Sequence, residues 1–101
     1  MKVVVLVNGE GLTQSQYDQL MKNMKFDDNP PKGIVTHIAA FDAKGIRVTD
    51  VWENEAVFKK FAETTLTPAL AKVGYNKQPK VEVFPLHFMA NTEVTANSDA
   101  R

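Results

Sequence analysis

The stretch VTHIAAFDAKGIRVTDVWENEAVF, Val35 to Phe58, reads as a β-hairpin that feeds a helix. Two runs rich in β-branched and aromatic residues, Gly33 to Phe41 and Ile46 to Glu53, flank DAKG, a short polar connection whose glycine supplies the positive φ that tight turns need. If Asp42 and Gly45 close a two-residue turn, or Phe41 and Ile46 a four-residue one, His37 falls opposite Asp50. The same registers set Val35 against Trp52, Ala39 against Val48 and Phe41 against Ile46. A histidine and an aspartate thus interrupt an otherwise apolar strand face, beside an indole. Directly opposed Cβ atoms lie about 5 Å apart, so the imidazole can reach the carboxylate directly or through one water.

Working outward, Lys2 to Asn8 is a β-rich run with valines on both pleat parities, which predicts a central strand covered on both faces. Thr13 with Gln16 forms a capping-box pattern, and Leu12 with Tyr17 a hydrophobic staple. Tyr17, Leu20, Met21 and Met24 then make one apolar helical stripe. The prolines of DDNPPKG end that helix. A second helix opens at Asn54, with Val57, Phe58, Phe61, Ala62 and Thr65 on one face, and Thr67 with Pro68 predicts a break and a newly capped short helix ending before Gly74. Lys80 to Phe88 is the last strand, at a sheet edge because of Pro85. Residues 1–88 form one domain, and 89–101 a polar, flexible tail.

The βαββαβ order predicts an α+β, ferredoxin-like sandwich, a four-stranded antiparallel sheet with helices on one face. Two helices cover only one sheet face, yet Ile34, Ile38 and Val51 lie on one parity while Val35, Phe41, Ile46 and Val48 lie on the other. Apolar residues on both faces predict a homodimer packed through the open sheet.

Composition narrows the function classes. The chain has 101 residues, 44% of them hydrophobic, enough for one core. Twelve basic and twelve acidic residues cancel without a basic stripe, which argues against nucleic acid. The absence of cysteine excludes disulfides and thiolate chemistry. MKVVVLVNGEG holds five consecutive apolar residues, too few for a signal-peptide core or a membrane span, and a cytoplasmic protein without membrane association is expected.

The chain length, the first strand VVVLVN and above all VTDVWENEAVFKKF resemble the dimeric α/β-barrel superfamily, in particular the antibiotic-biosynthesis monooxygenase-like group and its small uncharacterised relatives. The resemblance covers residues 2–88. It implies the sandwich, the homodimer, and a strand order that separates His87 on the last strand from His37 and Asp50, so no metal shared by the three is expected. Heme-degrading members of the superfamily use an asparagine at the end of the first strand, a tryptophan on the second helix and a later histidine. This chain has Asn8, but Phe61 stands near the tryptophan's place and no histidine lies between Asn54 and Leu86, so heme chemistry is not implied.

The reading for function is a small-molecule-binding protein, most concretely a cofactor-independent monooxygenase for a phenolic or quinol-like substrate. His37 would be the general base and Asp50 its orienter, with Asn8, Tyr17, Trp52 and Phe61 as candidate ligand-binding residues and an apolar or aromatic ligand. No cofactor is expected. A non-enzymatic alternative has the same residues in structural roles. His37 and Asp50 would satisfy each other, Trp52 and Tyr17 would fill core, Asn8 would end a strand, and the dimer would bind a hydrophobic ligand or act as a stress or regulatory module.

Overall fold

A computed structural model describes residues 1–92; the rest of the expected tail, 93–101, lies outside the described residues. Strands β1 (Val3–Glu10), β2 (Ile34–Asp42), β3 (Gly45–Trp52) and β4 (Lys80–Pro85) form one antiparallel sheet in the order β2-β3-β1-β4. Helices α1 (Gln14–Met24), α2 (Glu55–Phe61) and α3 (Thr67–Lys72) supply the second layer of the expected α+β ferredoxin-like sandwich. The central β1 turns Val3, Val5 and Val7 toward the helices, where they pack with Trp52 and Phe58. A neighbouring cluster joins Leu12 and Leu20 to Ile46, Leu70 and Tyr75.

Local chemistry sets the element boundaries. The Thr13 side chain accepts from the Gln16 backbone while Gln16 reaches back to the Thr13 N–H, the reciprocal cap read from the sequence. Asn54 caps α2 through the Val57 N–H. The hairpin closes on Ala43 and Lys44, whose turn is held by Asp42 accepting from the Lys44 and Gly45 backbones and from Arg47 Nε.

Three expectations need correction. His37 pairs with Asp50, Ala39 with Val48 and Phe41 with Ile46 as expected, but a bulge at Val35 brings Ile34 opposite Trp52. The extra residue restores inward pointing for Ile34, which packs on the Trp52 cluster, and leaves Val35 exposed. Second, no capped break separates α2 from α3. The backbone remains helical through a π-turn at Ala62–Leu66, Thr67 N–H bonds to the Ala62 carbonyl, and no side chain caps the start of α3. The wider turn accommodates Pro68, which has no N–H for the regular ladder. Third, β4 ends at Pro85 rather than Phe88, with one further bond from Leu86 N–H to the Lys2 carbonyl.

Gly33 positions the hairpin against α2. It has φ 92°, its carbonyl accepts from Glu53 N–H at 2.8 Å, and a Cβ there would collide with Val57 Cγ1. Gly33→Ala should therefore lower stability by about 1–3 kcal/mol in urea unfolding, through a strained backbone and a displaced Val57.

Candidate functional site

The helix-facing side of the hairpin carries the site. His37 on β2 and Asp50 on β3 point inward because both share the parity of Val5, the β1 partner of Asp50. Trp52 lies two residues past Asp50 and so on the same face. Its indole Nε1–H donates to Asp50 Oδ2 at 3.1 Å, and Asp50 Oδ1 lies 2.7 Å from His37 Nδ1. On α1, Tyr17 places its hydroxyl 2.7 Å from His37 Nε2. The four side chains form one continuous hydrogen-bonded row: Tyr17, His37, Asp50, Trp52.

The row has a direction. Trp52 is fully buried and Asp50 only 6% exposed. An ionised carboxylate offers only lone pairs, so the imidazole proton sits on Nδ1 and, in the neutral ring, Nε2 accepts from the Tyr17 hydroxyl. Burial raises the Tyr17 pKa above its ordinary 10.0, and the negative charges of Asp50, Asp18 and Asp27 push it further up. Tyr17 is therefore a protonated phenol at neutral pH, with its hydroxyl on His37 Nε2. The Phe26 ring lies 4.9 Å from the imidazole, and Phe61 and Phe58 pack at 5.2 and 5.5 Å from Trp52.

An apolar cavity of about 70 Å³ lies between sheet and helices, lined among others by Tyr17, Phe26, His37, Asp50, Trp52 and Phe61. It holds a few water-sized groups, whereas a cavity that takes benzene is about 150 Å³, so an aromatic guest needs a wall to move.

Five of the six candidate residues converge here, and Asn8 does not. It lies on the open sheet face beside Arg47 and Lys80, since its parity is opposite to that of Val7. His87 is exposed beyond β4, and among the described residues no three His, Asp or Glu side chains are placed to hold a metal ion. Sequence reasoning missed one bond and one residue. The Trp52–Asp50 bond was available from their spacing of two on a strand. Phe26 carried no signal, because its approach to His37 depends on the turn after α1, where Lys25 is left-handed (φ 53°) and Phe26 N–H folds back to the Met21 carbonyl.

No family model matches the chain, and no curated protein matches it. Solved structures do. A protein of unknown function from Nitrosomonas europaea, NE2512, has a TM-score of 0.68 at 18% identity over 92% of this chain and 96% of that one. A candidate antibiotic biosynthesis monooxygenase from Deinococcus radiodurans has a TM-score of 0.60 at 14% identity, covering 93% and 100%. SnoaB, a cofactor-independent oxygenase from Streptomyces nogalater, has a TM-score of 0.59 at 12% identity, covering 87% and 94%. The chain thus has the α+β fold of the antibiotic-biosynthesis monooxygenase-like proteins and their small relatives; at these identities the fold is what is shared.

The phenol gives a direct test. Tyr17 and Tyr75 are the two tyrosines, both raised by burial, so titration is cleanest in Tyr75→Phe. There tyrosinate absorbance should appear above pH 10.0, and earlier once Asp50→Asn removes the nearest charge. The folded pKa lies above the unfolded one, so this stabilisation is complete below pH 10.0 and lost as pH rises through the folded value. Denaturant unfolding should register that alkaline loss, and Tyr17→Phe should remove it.

Proposed function

We propose that the protein is a homodimeric small-molecule-binding protein acting as a cofactor-independent monooxygenase on a phenolic or quinol-like substrate. The observation that carries this reading is the Tyr17–His37–Asp50 row, with both outer contacts at 2.7 Å and all three residues lining one apolar cavity. A carboxylate that fixes the Nδ1 proton leaves Nε2 to accept one. Tyr17 stands at that nitrogen, so a substrate hydroxyl or activated C–H would pass its proton to the Tyr17 oxygen as the Tyr17 proton moves to Nε2. The high pKa of Tyr17 suits a relay rather than a standing anion.

The deprotonated substrate supplies the electrons. Its carbanion reduces dioxygen and joins it as a peroxide anion, which takes the first proton back from the row to become a hydroperoxide. Removal of the second proton from the same carbon then breaks the O–O bond, and that proton, passed by His37 to the leaving hydroxide, completes the water, so a CH₂ carbon becomes a carbonyl: one substrate and one O₂ give one ketone and one H₂O. The apolar surroundings favour the neutral ground state and make a fixed donor–acceptor row worth more than it would be in water. Likeness in fold to a cofactor-independent oxygenase supports the reaction class.

The second reading, a binding or regulatory module with the row as an internal lock, is favoured by the small cavity and by the absence of unpartnered buried side-chain polar atoms among the described residues. Oxygen uptake with a quinol panel separates the two. His37→Ala should lower the rate by about 10²–10⁴-fold, the usual contribution of a positioned base. Equal uptake by wild type and His37→Ala would overturn the mechanism.

The dimer half of the proposal rests on the sheet face away from the helices. Ile38, 56% exposed, and Phe84, 46% exposed, flank half-buried Val4 and Leu6 there. A second copy would cover them. Sedimentation should find a dimer at micromolar concentration, and Ile38→Glu should shift it to monomer with unchanged circular dichroism; a monomeric wild type would contradict this half.

A further inference from the structure

A larger cleft lies outside the cavity, between the turn after α1 and the α2/π-turn segment, with a volume of about 630 Å³. Met24, Phe26 and Phe61 line both the cleft and the cavity, so the two spaces share a wall of one thioether and two phenyl rings. Lys32 and Lys60 line the cleft, and among the described residues no acidic one joins them there. Among the described residues the ion pairs are His37–Asp50, Arg47–Asp42 and Lys59–Glu55, so both cleft lysines lack a carboxylate partner.

We infer that cavity and cleft are two halves of one binding site, with Phe26 as the gate, and that the ligand is an amphiphilic organic anion. Its aromatic head lies against His37 and Trp52, and its carboxylate or sulfonate lies over Lys32 and Lys60. This rests on the reading that the cavity takes a small molecule, and it specifies the ligand class. At 70 Å³ the cavity is too small for an aromatic ring, while the space gained by swinging Phe26 aside opens it to the 630 Å³ cleft, within the range of roughly 300–1,000 Å³ typical of small-molecule sites. Of the shared wall, Phe26 is the part on irregular backbone; Met24 ends α1 and Phe61 ends α2. Its ring covers the imidazole, so its displacement uncovers His37. The chemistry of the cleft is the complement of the cavity's: apolar walls continued outward to two ammonium groups that have no carboxylate partner among the described residues.

The test pairs anilinonaphthalene sulfonate with its uncharged relative N-phenylnaphthylamine, using fluorescence of the bound probe. The Lys32→Gln/Lys60→Gln double variant alters exposed residues and should fold as wild type. It should weaken the sulfonate about tenfold and change the neutral probe by less than about twofold, as expected for two solvent-screened charges; added salt should act on the sulfonate alone. Equal weakening of both probes, no weakening, or no binding of either would overturn the proposal. The gate is read from the single tryptophan, Trp52. Quenching of its emission by acrylamide should rise several-fold in Phe26→Ala and less in Phe26→Leu, each checked for native circular dichroism; unchanged quenching in the folded variants would overturn the gate. A charge-dependent probe response without oxygen uptake would remove the oxygenase reading alone, and uptake with no charge dependence would remove this inference alone.

Discussion

The Asp50 carboxylate is the constraint on which the rest of the structure depends. It is buried in the wall of an apolar cavity, where a charged group is expensive unless every lone pair that faces protein is used. Two donors meet that demand, the Trp52 indole on one oxygen and the His37 imidazole on the other. Their placement follows from strand geometry, one by a spacing of two along β3 and one by direct pairing across the hairpin. The bond to Asp50 in turn decides which ring nitrogen of His37 carries the proton and so what Tyr17 meets. Loss of either donor, Trp52 or His37, would leave an Asp50 oxygen without its partner.

The scaffold around this row concentrates irregular backbone away from it. The sheet positions His37, Asp50 and Trp52 on hydrogen-bonded, paired strands. The bulge at Val35 sits at the start of β2, the π-turn lies between α2 and α3, and the left-handed Lys25 follows α1. The last two border the cleft through Phe26 and Thr64 or Thr65. A hydrogen-bonded row on the sheet, facing a wall carried by irregular backbone, is the arrangement that the proposed binding site requires.

Much of the site was legible because it obeys period-two geometry. The pairing of His37 with Asp50 follows from a two-residue turn after Asp42, and their inward direction follows from sharing a face with Ala39, Val48 and Ile46. The register failed at Val35, where a one-residue bulge is invisible to a pattern in which Ile34 and Val35 are equally apolar. The expected helix break at Thr67 failed because a proline preceded by threonine fits a new N-terminus and a π-turn equally well. Asn8 reads as the end of the first strand, but β1 runs on to Glu10, and the alternation that buries Val7 carries Asn8 to the far face.

The sequence by itself determined the order of elements, the hairpin turn, the capping of α1 and the opposition of His37 to Asp50, all of which depend on neighbours close along the chain or on one short turn. Tertiary structure alone decided that the Tyr17 hydroxyl lands on His37 Nε2, that Phe26 covers the imidazole, and that cavity and cleft share a wall. Those contacts join α1 and the turn after it to a hairpin later in the chain, and their distances depend on how the helix layer settles on the sheet. Side-chain volumes from every element set that packing, and no local pattern encodes it.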